Sequence, residues 1–206
     1  QRDRKDLETQ RMQSEIKFLK SQINPHFLFN TLNSLYALTL KKSDKAPEIV
    51  IKLSEMMRYM LYESNERRVP LQKEVNYIQN YLALEALRQS GHADIRFNVE
   101  GQITDQTIAP LIFIPFLENS FKHGLNHQIS DGYVHVTMKV LDNKLLLRIL
   151  NSKPAQLPVP SEKTSGGIGL ANVQRRLNLL YPNQYKLDIE DSDKEHIVEL
   201  SLALTA

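Results

Sequence analysis

The sequence predicts an α+β protein in which an N-terminal antiparallel helical hairpin is followed by an α/β sandwich with a mixed sheet. Residues 1–63 carry apolar side chains at the three- and four-residue spacing of helices. From residue 95 onward, several short stretches alternate apolar and polar residues, as half-buried strands do. A polar segment closed by Pro70 separates the two parts. We therefore predict two domains, 1–66 and 67–206.

The helical part begins with one predicted helix from residue 1 to about residue 40. Pro25 is its only proline, and it is expected to kink the helix because it removes a backbone hydrogen bond. A second helix is predicted from Pro47 to about Glu63. Its apolar seam consists of Ile49, Leu53, Met56 and Met60. Two antiparallel helices cannot bury such stripes alone, so the sequence predicts a homodimer that forms a four-helix bundle.

The second part is predicted to contain about three helices on one face of a mixed sheet of about five strands. In chain order, the predicted elements are a helix over 71–89, a strand over 95–99, a helix over 111–123, a hairpin over 134–150, a helix from 166 to about 181 and a hairpin over 186–204. Pro110 is expected to open the second helix, and residues 151–165 are expected to form a loop.

Composition excludes several classes of function. The chain has 206 residues, a formal net charge of +2 and no cysteine. Disulfides and thiolate metal sites are therefore excluded, and no basic stripe indicates nucleic-acid binding. No apolar run in the sequence is long enough to span a bilayer, and we expect no signal peptide. Because the chain opens at Gln1 in a charged helix, we expect a fragment whose membrane segments would lie upstream.

The first motif is Asn24-Pro25-His26-Phe27-Leu28-Phe29-Asn30. A kink followed by an imidazole that is largely neutral near pH 7 would present a nucleophile. The alternative is a histidine packed on a bundle stripe, because Ile16, Leu19 and Ile23 precede it at helical spacing.

The second motif, Glu118-Asn119-Ser120-Phe121-Lys122-His123-Gly124, lies on an otherwise apolar helix. Asn119 and His123 are four residues apart and share a face, with Lys122 beside them. A carboxylate, an amide and a cation at the exposed edge of this helix suit a site for phosphate and Mg²⁺. The alternative is an ordinary helix C-terminus, where Lys and His are favoured by the helix dipole.

The third motif is Ser165-Gly166-Gly167-Ile168-Gly169-Leu170 at the start of a helix. Glycines let backbone N–H groups approach an anion, and the helix N-terminus favours negative charge. The motif fits neither the dinucleotide fingerprint nor the P-loop. The alternative is a glycine loop that only caps a helix.

In this order, the three motifs resemble the LytS-type sensor histidine kinases of bacteria. The resemblance rests on NPHFLFN at 24–30, ENSFKHG at 118–124 and GGIGLANVQRRL at 166–177, and it covers nearly the whole chain. The first motif is highly specific to that family, whereas the other two are shared more widely by Bergerat-fold ATPases. The resemblance implies a dimerisation and phosphoacceptor hairpin followed by a Bergerat-fold ATP-binding domain. It further implies ATP and Mg²⁺ as cofactors, a response regulator as partner, and the cytoplasmic part of a bacterial inner-membrane protein.

The resemblance also implies roles for individual residues. His26 would be the phosphoacceptor, and Asn119 would be the Mg²⁺ ligand. Glu118 would have a catalytic role. Together with Lys122 and His123, it would line the phosphate side of the nucleotide site. The residues that match the glycine-box pattern are Gly167, Gly169, Leu170, Asn172 and Arg176, although Arg176 is alternatively only a structural contact. The loop 152–165 would be the mobile lid.

Two residues depart from the usual pattern. Many histidine kinases have an acidic residue directly after the phosphoacceptor, but here that residue is Phe27. Asn30, one helical turn after His26, could instead position a water that hydrolyses the phosphohistidine. Bergerat-fold enzymes usually bind the adenine amine with the Asp of Asp-x-Gly. Here Asn151 occupies that place, and its amide oxygen accepts without a charge.

The main hypothesis is therefore a protein-histidine kinase of a two-component system. One alternative is a Bergerat-fold serine kinase or anti-sigma switch, which would not need His26. The other is a degenerate dimeric scaffold that binds a regulator without catalysis, for which the altered adenine site is the best argument.

Overall fold

A computed structural model of the chain describes residues 24–89, 93–125, 131–154 and 166–205. The chain divides into two compact units, one that ends at Asn65 and one that begins at Glu66. The first 23 residues of the predicted N-terminal helix and most of the predicted lid lie outside the described residues.

The described part of the first unit, residues 24–65, is a helical hairpin. Helix α1 (Pro25–Leu40) is joined by a four-residue turn to helix α2 (Lys45–Tyr62), and a 3₁₀ turn over Glu63–Asn65 follows. Within the predicted seam of α2, Ile49, Leu53 and Met56 are buried, and Met60 is half-buried. The predicted hairpin is confirmed.

The prediction that Pro25 kinks a continuous helix is wrong. Asn24 has an extended backbone (φ −79°, ψ 102°), and α1 begins at Pro25. The Asn24 side-chain oxygen accepts a hydrogen bond from the Phe27 N–H at 3.2 Å, so Asn24 caps the helix. In the first turn, the N–H that proline lacks would have had no partner within the helix. Pro25 therefore starts a helix rather than bending one.

The described residues of the second unit contain three α-helices: α3 (Leu71–Arg88), α4 (Ile114–His123) and α5 (Gly166–Leu180). Its main sheet has five strands: β2 (Asp94–Glu100), β4 (Tyr133–Leu141), β5 (Lys144–Ser152), β6 (Tyr185–Asp191) and β7 (Glu195–Ala203). Their order is β2-β4-β5-β7-β6, with β2 and β4 parallel and all other neighbours antiparallel. Strands β1 (Val69–Pro70) and β3 (Thr107–Ile108) form a small separate sheet. The predicted α+β class with a mixed sheet is confirmed.

One face of the main sheet is buried beneath helices. Along β5, Leu145, Leu147 and Ile149 are fully buried, whereas the alternate residues Lys144 and Arg148 are exposed. Helix α4 contacts β5, and α3 contacts β2. Burial of this apolar face is the main source of stability of the unit, at about 25 cal/mol per Å².

The segment before α4 differs from the prediction, because Pro110 does not open the helix. Leu111 has a positive φ of 55°, so a right-handed helix cannot run through it, and α4 begins three residues later with Pro115 in its first turn. The Leu111 N–H instead donates to the buried Glu74 carboxylate on α3 at 2.7 Å.

The same segment is held from the end of α5. The Ala109 N–H donates to the Tyr181 hydroxyl at 2.8 Å, and the Arg68 guanidinium donates to the same oxygen at 2.9 Å. Burial raises the pKa of Tyr181 above its usual value. The hydroxyl therefore stays neutral and acts as a fixed hydrogen-bonding group.

One other boundary differs slightly from the prediction. Strand β5 continues through Asn151 and Ser152, which were expected to lie in the loop. Helix α5 begins at Gly166, as predicted, so the glycines at 166, 167 and 169 lie in its first turn.

Candidate phosphoacceptor and nucleotide site

His26 is the second residue of α1, and its side chain is exposed. The Asn30 amide nitrogen lies 3.2 Å from each of the two ring nitrogens, so it can donate to whichever nitrogen is unprotonated. Phe27, which takes the place of the usual acidic neighbour, is buried. The structure thus brings together the two residues that the sequence singled out, and it leaves the imidazole accessible.

The location of His26 also has an electrostatic consequence. The first turn of a helix carries a partial positive charge and favours negative groups. An added phosphoryl group on this ring would therefore be stabilised by the start of α1. A continuous helix that is only kinked at Pro25 would not place His26 in the partial positive charge of a helix N-terminus.

In the second unit, the Glu118–Gly124 motif lies at the partly exposed edge of a buried helix. Phe116, Leu117 and Phe121 of α4 are buried, whereas Glu118 and Asn119 are half-buried and Lys122 is exposed. His123 is the last residue of α4. The helix thus holds Glu118, Asn119 and Lys122 on a rigid element and leaves them accessible.

Glu118 is close to polar side chains of α3 that the sequence analysis did not identify. Burial, together with the charges of Glu85 and Glu118, raises the pKa of Tyr81. Burial also raises the pKa of Glu85, although Arg88 donates to its carboxylate at 2.8 Å. The four-residue spacing of Tyr77, Tyr81 and Glu85 was the available signal, but it overlaps the apolar stripe of the same helix.

The end of the motif packs directly against Asn151. A Cβ atom on Gly124 would lie 2.5 Å from the Ser120 carbonyl oxygen, 2.8 Å from the Asn151 amide nitrogen and 3.0 Å from the Ser152 carbonyl oxygen. No side chain fits there without movement of the backbone. Glycine therefore allows α4 to end against the end of β5, and two of the predicted site segments meet at this point.

Asn151 itself is 1% exposed. Its amide nitrogen donates to the Ser152 carbonyl oxygen at 3.1 Å. Its amide oxygen is buried and has no hydrogen-bond partner among the described residues. A buried polar atom without a partner costs about 1–3 kcal/mol, so this acceptor is suited to a ligand that donates a hydrogen bond.

Helix α5 supplies the remaining predicted residues. Gly167 and Gly169 lie in its first turn, Leu170 is half-buried and Asn172 is exposed. Arg176 donates to the backbone carbonyls of Pro110 and Leu111 at 2.6 and 3.3 Å. Arg176 thus holds the segment before α4, which agrees with the structural alternative for this residue.

Comparison with known proteins identifies relatives of this chain. The sequence profile of the histidine kinase family matches residues 14–93. The chain is 32% identical over 204 residues, 92% of its length, to the sensor protein LytS of Oceanobacillus iheyensis. Over most of its length, the chain is similar to the LytS-type sensor histidine kinases.

A LytS sensor histidine kinase/phosphatase of Staphylococcus aureus is 31% identical over 191 residues, which cover 87% of this chain. The alignments cover 34% and 32% of the two relatives, so this chain spans about a third of their length. None of the helices in the described part of the chain is long and apolar enough to cross a membrane.

Two solved structures resemble the chain in fold. A nucleotide-free catalytic domain of the histidine kinase ThkA matches with a TM-score of 0.50 and 14% identity, covering 66% of this chain and 95% of that one. A bacterial phosphotransferase matches with a TM-score of 0.50 and 8% identity, covering 88% and 95%. At these identities, the likeness shows the fold alone.

Changing Arg176 to Lys in this chain tests its structural role. A lysine ammonium cannot donate to both carbonyls as the planar guanidinium does. We expect a loss of about 1–3 kcal/mol in the free energy of unfolding, with the melting temperature several degrees lower. Arg175→Lys, at the exposed neighbouring position, is the matched control for thermal unfolding. An unchanged melting temperature with weakened ATP binding would assign Arg176 to the nucleotide instead.

Proposed function

We propose that this chain is the kinase portion of a two-component sensor, which transfers the γ-phosphoryl group of ATP to His26 and then to an aspartate of a response regulator. The observation that carries the proposal is the exposed imidazole at the start of α1, within the NPHFLFN motif, in a chain similar to LytS. The nucleotide would bind in the second unit.

The chemistry follows from these groups. The unprotonated ring nitrogen of His26 attacks the γ-phosphorus, an N–P bond forms, the bond to the bridging oxygen breaks, and ADP leaves. Negative charge on the new phosphoryl group is favoured by the N-terminus of α1. A carboxylate oxygen of the response-regulator aspartate then accepts the phosphoryl group. The N–P bond to His26 breaks, and the imidazole is free again.

In the proposed nucleotide site, the Asn151 amide oxygen accepts from the exocyclic amine of adenine, and the exposed Lys122 contacts phosphate oxygens. Glu118 and His123 line the phosphate side. Backbone N–H groups at Gly167 and Gly169, with neighbouring Leu170 and Asn172, face the phosphates.

We propose Asn119 as the protein ligand of Mg²⁺. Among the described residues, no group of three or more His, Cys, Asp or Glu side chains could hold a metal. Mg²⁺ needs few protein oxygens when phosphates and water supply the rest, so one amide oxygen fits this ion. When bound, Mg²⁺ would neutralise charge on the phosphates.

The test incubates the wild-type chain with γ-labelled ATP and Mg²⁺ and measures the label on the protein. Phosphohistidine is labile to acid, so acid-labile label on the protein is the expected result. Acid-stable label on a serine of a partner would favour the serine kinase instead. Absence of label together with absence of nucleotide binding would favour the scaffold.

We also propose that a second copy of the chain covers the outer face of α1. Four large apolar side chains form a stripe there, spaced by three, four and four residues. They are Phe29 (65% exposed), Leu32 (42%), Tyr36 (64%) and Leu40 (67%). Helix α2 also exposes Val50, Ile51 and Tyr62. Apolar faces on both helices of one hairpin suit a four-helix bundle formed by two hairpins.

Changing Leu32 to Glu tests this dimer. A charge in the centre of the apolar stripe would have to be buried at the interface, so we expect the dimer to dissociate at least tenfold more readily, about 1.4 kcal/mol. Sedimentation equilibrium measures the change. Lys41→Glu, which alters charge in the exposed turn after α1, is the control and should remain as associated as wild type. A wild-type chain that is monomeric at all concentrations would exclude the dimer.

Asn30 is proposed to serve a phosphatase activity by orienting a water. The Staphylococcus aureus relative is named a kinase/phosphatase, and the Asn30 amide lies within 3.2 Å of the His26 ring. For Asn30→Ala, we expect dephosphorylation of the phosphorylated regulator to fall at least about tenfold, as loss of a positioned group predicts, while labelling of His26 is kept. Release of phosphate from the regulator over time is the measurement. Equal loss of both activities would mean that Asn30 only orients the imidazole.

For localisation, we propose that the chain works on the cytoplasmic side of a bacterial inner membrane, where ATP and a regulator are available. Any membrane-spanning part belongs to the full-length protein, since its relatives are about three times longer than the aligned region.

A further inference from the structure

Arg68, the third residue of the second unit, is tied to a tyrosine just beyond the C-terminal end of α5. Its guanidinium donates to the Tyr181 hydroxyl oxygen at 2.9 Å, and the guanidinium carbon lies 4.6 Å from the centre of the tyrosine ring. Tyr181 is fully buried, and Arg68 is half-buried. A cation that both donates to the hydroxyl and lies over the ring restricts where that oxygen can be.

The same oxygen holds the segment 109–111, which we call the connector. It accepts the Ala109 N–H at 2.8 Å in addition to the Arg68 guanidinium, so both acceptor positions of the hydroxyl are used. Tyr181 thus holds the first residue of the connector, whereas Glu74 and Arg176 hold the other two. The position of the first residue therefore depends on Arg68 through a single shared oxygen.

The backbone next to Arg68 is joined to the same part of the chain. Strand β1, which follows Arg68 directly, pairs with β3, which directly precedes the connector. The Leu71 N–H donates to the Gln106 carbonyl oxygen at 2.9 Å. Residues 68–71 and 106–109 are therefore bound to each other by backbone and side chain and move together.

The connector determines where one end of α4 lies. Helix α4 begins three residues after Leu111, and its other end packs against β5, where Gly124 leaves no room for a side chain beside Asn151. A shift of the connector would tilt α4 about this closely packed end and move Glu118 and Asn119 with it. Asn151 would stay in place, because the backbone of β5 is bound to β4 and β7.

We infer that Arg68 and Tyr181 are positioning residues for the phosphate side of the nucleotide site, and that they act through the connector on Glu118 and Asn119 rather than by contact with the nucleotide. The inference rests on the proposed function, because it assigns residues that support the same ATP site. Misplacing a reacting group by about 1 Å can slow a reaction about a hundredfold. Phosphoryl transfer should therefore depend on these two residues more strongly than retention of the nucleotide does.

The first experiment compares wild type with Tyr181→Phe. Phenylalanine keeps the buried ring beneath the Arg68 guanidinium but removes the oxygen that accepts from Ala109. At saturating ATP and Mg²⁺, well below the melting temperature of both proteins, we expect the rate constant for acid-labile labelling of His26 to fall at least about tenfold. The dissociation constant for ATP should rise less than about threefold, because the adenine side on β5 is kept.

The two constants separate positioning from a merely structural role. A structural role would lower the melting temperature and change neither constant, because nearly all of the protein is folded under these conditions. An unchanged labelling rate would therefore overturn the inference while leaving the kinase intact. A loss of ATP affinity as large as the loss of rate would assign Tyr181 to binding and would also overturn it. Absence of label on wild type would overturn the proposed function, and the inference with it.

The second experiment changes the cation. We expect Arg68→Gln to lower the labelling rate at least about threefold, whereas Arg68→Lys, which can still donate to the hydroxyl and lie over the ring, should keep more than about half of it. Arg67→Gln makes the same change at the exposed neighbouring position and should label like wild type. Equal losses in Arg67→Gln and Arg68→Gln would overturn the inference, because net charge would then be the cause.

A double variant tests the route. When Arg68→Gln is added to Tyr181→Phe, the labelling rate should fall less than about twofold further, because the oxygen through which Arg68 acts is already absent. Losses that multiply in full would show that Arg68 acts by another path and would contradict the inference. Circular dichroism identifies a variant that does not fold; if Tyr181→Phe is one, the Arg68 and Arg67 series decides.

Discussion

His26→Gln is expected to lose all acid-labile label from γ-labelled ATP while it still binds nucleotide. Glutamine keeps a polar side chain at the start of α1 but has no nitrogen lone pair that can attack phosphorus, because its amide nitrogen is delocalised. Since His26 is exposed, the substitution should not change the melting temperature. The measurement is label on the protein after acid and base treatment, with ATP affinity determined separately.

The matched control for His26→Gln is Asn33→Gln, an exposed polar position on the same helix, which should label like wild type. Label that persists in His26→Gln would assign the nucleophile to another residue. Lost label with lost nucleotide affinity would point to a folding defect instead.

Gly124→Ala is expected to weaken both the fold and nucleotide binding. The added methyl group would lie 2.5 Å from the Ser120 carbonyl oxygen and 3.0 Å from the Ser152 carbonyl oxygen, and neither backbone atom can move cheaply. We expect the free energy of unfolding to fall by about 1–3 kcal/mol. Because the methyl group also meets the Asn151 amide at 2.8 Å, ATP affinity of the folded protein should fall at least tenfold.

Gly101→Ala separates these two effects. Gly101 has a φ of 96°, and a Cβ atom there would lie 2.0 Å from the Val140 carbonyl oxygen, so this substitution also destabilises the second unit. It lies at the other end of β4 from the candidate site and should leave the ATP affinity of the folded protein unchanged. If both variants lose affinity equally, the effect of Gly124→Ala is general destabilisation and not a local change at Asn151.

The sequence predicted most of the fold because periodicity reports burial directly. The alternation in the 134–150 hairpin and the seam of α2 both reflect residues that face a core, and these elements appear near the predicted residues. The errors concern prolines. Pro25 is the first residue of α1, and Pro110 precedes α4. Whether each proline kinks, starts or precedes a helix depends on side chains that bind the nearby backbone, such as those of Asn24 and Glu74.

The candidate site was predictable only in its parts. Motif spacing selected His26, Asn30 and Asn119 as candidates, because residues one helical turn apart share a face. The sequence could not show that Gly124 packs against Asn151, because that contact joins segments 27 residues apart. Likewise, the sequence could not show that the Asn151 amide nitrogen donates to the Ser152 carbonyl oxygen.

The short segment from Ala109 to Leu111 has no regular secondary structure, yet side chains from distant parts of the second unit bind its backbone. Tyr181 accepts from Ala109, Glu74 accepts from Leu111, and Arg176 donates to two carbonyls. A connection held in this way cannot change its length, because one inserted residue would misalign every donor and acceptor at once. Loops usually tolerate insertions. Here, the spacing between β3 and α4 is as constrained as the register of a strand, and it sets where Glu118 and Asn119 lie along the chain.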